Sequence, residues 1–173
     1  MKAVNLGGVG SDRKPAGIAK LVAPKVIEHW AAERTCVIVC FDRESRERCA
    51  PDLASDVTHA LIAEISAKTK LKGSVSVVIA DRAFEAWLLA DAEGLSARGV
   101  FTSNPTFHSF EGSPGAGAKK GVVELTSLLG RQYSKTTDGP RLFEQLDFPT
   151  ARRFANGGRG SRSLDKFLRC LGV

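Results

Sequence analysis

Asp42 and Glu44 stand two residues apart, directly after the apolar run Cys36-Val37-Ile38-Val39-Cys40-Phe41. On an extended segment, side chains at i and i+2 point the same way. Two carboxylates at that spacing can share one hard cation such as Mg²⁺, which takes oxygen ligands and keeps part of its water shell. A third acid, Glu85, follows a second apolar run and is placed to face the same edge of a sheet. The same residues have a plainer reading: Asp42 as a helix cap or turn residue, Glu85 as a favourable charge in the first turn of a helix. Spacing alone leaves both open.

The elements that must position these acids follow from hydrophobic pattern. Residues 35–41 and 74–80 are short, apolar and rich in β-branched side chains, with no sustained polar alternation. They read as strands buried on both faces, as in parallel sheets whose ligands lie beyond the strand carboxyl ends. Between them Pro51 opens a helix reaching about residue 70, with Val57, Leu61, Ile62 and Ile65 on its apolar face and Lys72-Gly73 as its stop. A strand, a helix and a strand in that order make a right-handed parallel crossover the default. Residues 15–32 form an earlier helix carrying Ile18, Leu21, Val22, Val26, Ile27 and Trp30, with Pro24 as a kink or restart. Residues 2–6 read as a short first strand. The following Gly7-Gly8-Val9-Gly10 lacks the spacing of a phosphate loop and reads as a turn.

Asp81 ends the second strand as Asp42 ends the first, and is expected to cap a helix running to Glu93. Trp87 falls on the apolar side of that helix with Phe84 and Leu88, and reads as core rather than as a platform for stacking bases. Residues 99–117 lack periodicity but hold Phe101, Phe107 and Phe110, as expected of a loop packed on the body or a lid; His108 within it reads as a surface residue. Helices follow over 119–129, around Leu142, Phe143 and Leu146, and over 164–171. The last is capped by Ser161 or Ser163 and preceded by a basic, glycine-rich connector. The expected fold class is α/β: an open, mostly parallel sheet covered by helices, with a helical C-terminal extension. We read 1–173 as one domain, with the sheet over 1–114 and a basic extension over 115–173.

With 173 residues, 43% apolar and 25% charged, the chain has the composition of a globular protein with one ordinary core. No apolar stretch is long enough for a bilayer-spanning helix, and residues 1–6 have no apolar signal core, so a cytoplasmic protein is expected. Four cysteines form no CxxC pair and no zinc pattern, and read as reduced, mostly structural thiols. The net charge of +6 is unevenly placed. Met1 to Pro114 carries 14 Lys and Arg against 14 Asp and Glu, whereas Gly115 to Val173 carries 11 against 5. A basic region beside carboxylates fits a polyanionic ligand, nucleic acid above all, or else a solubilising surface.

The ordered motifs carry a resemblance. Asp42-Arg43-Glu44 with Cys49 resembles the acidic segment of the DUF4276 family, and Glu85-Ala86-Trp87-Leu88-Leu89-Ala90-Asp91 resembles its E-x-W-x-L-x-D element. Tyr133-Ser134-Lys135 and Ser161-Arg162-Ser163-Leu164-Asp165-Lys166-Phe167 are similar to its later motifs. That family is similar to the TOPRIM group of topoisomerase, primase and OLD-type nuclease domains. The resemblance implies Mg²⁺, or Mn²⁺ in its place, held by Asp42 and Glu44, with Glu85 as a further catalytic acid. It also implies phosphodiester chemistry on DNA or RNA in phage-defence or mobile-element settings. Arg82, Lys135, Arg152, Arg153, Arg159 and Arg162 would then hold phosphates. One departure stands out: TOPRIM domains open on a strand bearing a catalytic Glu, and this chain has no carboxylate before Asp12.

Two main functions are therefore in view. The first is a Mg²⁺-dependent TOPRIM-like nuclease. The second is a catalytically inactive subunit that has lost the N-terminal Glu and binds nucleic acid or a partner such as an ATPase. A third, a phosphotransfer enzyme built on Gly7 to Gly10, is weaker.

Overall fold

The computed structural model describes residues 7, 13–43, 47–81, 83–105, 118–152 and 160–173. It is a mixed α/β structure that divides into two compact units, one of Met1–Phe41 with Arg46–Ile79 and one of Asp42–Ser45 with Ala80–Val173. No helix among the described residues is long and apolar enough to cross a membrane.

The first unit is built from helix α1 (Pro15–Ala31), strand β1 (Cys36–Asp42), helix α2 (Ala50–Ser66) and strand β2 (Ser74–Ala80), the last residue of each strand belonging to the second unit. Ile18, Ala19, Val22, Ala23 and Val26 form the buried stripe of α1; Ala50, Leu53, Ala54, Val57, Leu61 and Ile65 form that of α2. These spacings repeat every helical turn, and the alanines on both stripes let the backbones approach. Pro24 lies inside α1 without ending it. Its ring and the neighbouring Lys20 are solvent-exposed, so water can serve the carbonyl that proline leaves without a donor. The turn from α1 toward β1 is made by Glu33, which takes the left-handed conformation (φ 60°) usually left to glycine.

β1 and β2 pair directly. Ser74 donates its N–H to the Thr35 carbonyl and Arg43 donates to Ala80, so early pairs with early and late with late: the pair is parallel. Alternate residues Val37, Val39 and Phe41 of β1 and Val75, Val77 and Ile79 of β2 pack into the α1–α2 core. Gly73 is required just before β2, because a Cβ there would lie 2.4 Å from Nε1 of Trp30.

The second unit is helical: α3 (Glu85–Leu89), α4 (Ala92–Ala97), α5 (Ala118–Leu129), α6 (Asp138–Glu144), α7 (Phe148–Ala151) and α8 (Arg162–Leu171). Every residue of α3 is buried, and it packs against α5 and α6. Trp87 sits among Phe84, Phe143 and Phe167, with ring centroids 5.0–6.4 Å apart. Its Nε1–H donates to Ser163 Oγ at 2.7 Å. Trp87 is core, as its position in the sequence predicts. Ser161 caps α8 by accepting from the Leu164 N–H.

Several expectations are corrected. β1 is not buried on both faces: Cys36 and Cys40 are exposed, as is Cys49, because the α1–α2 core covers the face of Val37, Val39 and Phe41 while Cys36 and Cys40 lie on the other. Those three thiols are therefore not core residues. α2 ends at Ser66, short of residue 70. The helix expected over 81–93 is two short ones broken at Ala90-Asp91, and Asp81 does not cap it. The first strand, the turn after it, His108 and most of the 99–117 loop lie outside the described residues. Phe101 of that loop is buried, and Thr102 bonds the end of α5.

Candidate functional site

Glu85 is the centre of the second unit's chemistry. It opens α3, whose other residues are all apolar, so the helix has no wet face to which the acid could turn. The residue is 1% exposed. Helix α5 crosses close because position 121 is glycine: a Cβ there would lie 2.6 Å from Glu85 Cβ. Lys135 brings its ammonium to 3.2 Å from Glu85 Oε1, although its own side chain is largely exposed. Glu85 Oε2 is buried and has no hydrogen-bond partner.

Tyr133 is two residues from Lys135 but buried (4% exposed), and its hydroxyl also lacks a partner. Burial first, then the charges of Glu85, Asp138 and Asp42, push its phenol well above the ordinary value. The phenol therefore stays protonated. A Cβ at Gly139 on α6 would lie 3.1 Å from that hydroxyl.

The segment that presents Tyr133 and Lys135 is tied by Asp138. Arg131 donates both guanidinium nitrogens to its two carboxylate oxygens at 2.8 and 2.7 Å, and the Ser134 N–H donates at 2.8 Å. These donors hold the Asp138 carboxyl well below its usual range, at about 2. Such a clamp fixes residues 131–138 with few degrees of freedom left.

At the strand ends, Asp42 terminates β1 and Arg43 turns inward, 5% exposed, to pair with Asp81 at 2.5 Å. Asp42 is within electrostatic reach of Tyr133. The structure thus brings Asp42, Glu85, Lys135 and Tyr133 into one unit. Arg152 is elsewhere in it, donating to Asp165 and to the Val173 carbonyl. Arg162 is exposed on α8. Glu44, Arg82, Arg153 and Arg159 lie outside the described residues.

Asp42 and Glu85 are oxygen donors of the kind Mg²⁺ prefers, and an orphaned buried carboxylate oxygen is what a cation would satisfy. The donor set fits the ion in type. Among the described residues no three His, Cys, Asp or Glu side chains already gather as a metal cluster. A surface depression lined by Glu93, Ser96, Ala97, Asn104 and Pro105 contains none of the candidate residues.

Residues 11–156 match the model of the family DUF4276, described as a domain of unknown function. The chain belongs to the DUF4276 family. No curated protein and no solved structure matches it. The DUF4276 match includes Asp42, Glu85, Tyr133 and Lys135, and ends before α8.

Sequence reasoning passed over Asp138 and gave Tyr133 only as part of a motif. The signal was present: a tyrosine and a lysine two apart, then an acid just before Gly139-Pro140, in a stretch too short to be a free linker. Asp91 is a further buried acid, but its role is structural. It accepts from Arg98 at 2.6 Å and from the Asp147 N–H at 2.9 Å, tying the start of α4 to the approach to α7.

Proposed function

We propose that this DUF4276 chain is a Mg²⁺-dependent, TOPRIM-like nuclease acting on phosphodiester bonds of DNA or RNA, in a phage-defence or mobile-element setting. The observation that carries the reading is Glu85: a carboxylate buried to 1% exposure with one oxygen left without a partner, while Asp42 acts on the same neighbouring phenol. Asp42, Glu85 and Glu44 would hold the ion. When bound, Mg²⁺ supplies Lewis-acid stabilisation of the phosphate and lowers the pKa of the attacking water. Lys135 neutralises part of the Glu85 charge and presents the rest of its ammonium to solvent, where a phosphate can reach it. Arg162 and Lys166, exposed one turn apart on α8, offer further positive charge to a strand.

Incubation of the chain with DNA and RNA substrates in Mg²⁺ or Mn²⁺ tests this reading. Cleavage is expected, and Asp42→Ala is expected to lower it by at least about a hundredfold while circular dichroism is unchanged. Wild-type protein that cleaves no substrate with either ion refutes the reading.

The Lys135–Glu85 pair also favours a second reading, because an ammonium already compensates the carboxylate. In that case the chain is a non-catalytic subunit that binds nucleic acid or a partner such as an ATPase. Salt-sensitive binding that survives Asp42→Ala, without turnover, is its signature.

A further inference from the structure

Glu85 Oε2 and Tyr133 Oη are both buried in the second unit, and neither has a partner. The two groups do not bond to each other. Leaving a buried donor and a buried acceptor unmet is costly, so the pair calls for an occupant from outside the chain. Gly139 lets α6 lie close against the hydroxyl: a Cβ there would stand 3.1 Å from Oη. Lys135, 60% exposed yet 3.2 Å from Glu85 Oε1, extends from solvent to the carboxylate.

We infer that Tyr133 is the hydrogen-bond donor to a phosphoryl oxygen of the substrate, beside the cation that Glu85 helps to hold. The identity of the cation rests on the nuclease reading. The surrounding charge favours joint binding. Glu85 and Asp42 both act on the phenol, so a divalent cation beside them favours a phosphate there. Burial, the largest cause, keeps the phenol protonated: Tyr133 donates, and does not attack as a phenolate. The competing occupant is a single trapped water that accepts from Tyr133 and donates to Glu85.

Titration calorimetry of inorganic phosphate into the full chain, with and without saturating Mg²⁺, tests this. Phosphate is expected to bind more tightly with Mg²⁺ than without it. Tyr133→Phe should weaken that binding about tenfold, the effect of one hydrogen bond to a charged group. It should leave Mg²⁺ affinity unchanged and the urea midpoint no lower than wild type, since it removes an unsatisfied hydroxyl. Gly139→Ala should weaken phosphate in the same direction by crowding Oη. Phosphate binding by Tyr133→Phe equal to wild type assigns the hydroxyl to a trapped water and overturns the inference, as does binding indifferent to Mg²⁺. The two proposals fail separately. Tyr133-dependent phosphate binding in a protein that cuts no nucleic acid keeps this site and removes the nuclease. Cleavage and phosphate binding unaffected by Tyr133→Phe keep the nuclease and remove this site.

Discussion

Lys135 lies 3.2 Å from one oxygen of Glu85, and the other oxygen of that buried carboxylate has no partner. A carboxylate held this way is half compensated. Removing one member of a buried pair leaves a charge without its counter-ion, a large penalty when both are enclosed.

Lys135 is substantially exposed, so its loss costs less than a fully enclosed pair would. Lys135→Met should destabilise the chain by about 1–2 kcal/mol in urea unfolding. Adding Glu85→Gln should recover most of that loss. If Glu85 also serves a cation, Mg²⁺ should raise the unfolding midpoint of Lys135→Met more than that of wild type, because ammonium and metal compete for one carboxylate.

Asp81 differs in kind, since its partner Arg43 is almost wholly buried. Asp81→Ala should cost about 3 kcal/mol in chemical denaturation. A role as a helix cap would cost about 1 kcal/mol, so the size of the loss separates the two roles.

Acid should act through Asp138. Its folded-state carboxyl titrates at about 2, below the 3.8 of an unperturbed aspartate, because Arg131 and the Ser134 N–H favour the charged form. A depressed carboxylate adds stability that is complete above the unfolded pKa and is lost as pH falls through the folded one. Thermal unfolding measured between pH 5 and pH 2 should therefore lose stability across about pH 4 to 2. Asp138→Asn should lack that part of the decline.

Ser163 Oγ accepts from Trp87 Nε1 at 2.7 Å and from the Asp81 N–H at 3.3 Å. Ser163→Ala should leave the indole N–H of a core tryptophan unsatisfied, at a cost of about 1–2 kcal/mol. Urea unfolding followed by tryptophan fluorescence measures it. Wild-type stability in this variant would mean that the indole finds another acceptor.

Arg162 and Lys166 lie on the solvent side of α8. If they hold phosphates, each alanine substitution should weaken nucleic-acid binding whatever the sequence and lower the slope of log K against log salt by about one. Fluorescence anisotropy at several salt concentrations reads this out; an unchanged slope removes them from the interface.

The local elements were legible because they follow from periodicity. The α1 and α2 stripes, β2 over residues 74–80 and the cap at Ser161 all repeat patterns that the side chains carry themselves. Burial of β1 is not legible in this way, since an apolar run does not reveal whether both faces of its strand will be covered. The break at Ala90-Asp91 was hidden for a similar reason. Asp91 is drawn to Arg98 and to the Asp147 backbone, one of them distant in sequence, and those bonds outweigh helical propensity.

By itself the sequence determined helices α1, α2, α5 and α8 and strands β1 and β2, that Trp87 is core, that positive charge gathers in the last third, and that Asp42 ends a strand. Those properties depend on residues within a few turns of each other. Only the tertiary structure decided that Glu85 is buried, that Lys135 answers one of its oxygens and nothing answers the other, and that Tyr133 shares its surroundings with three acids. Burial and pairing join residues some fifty positions apart, and depend on how closely Gly121 and Gly139 let α5 and α6 approach.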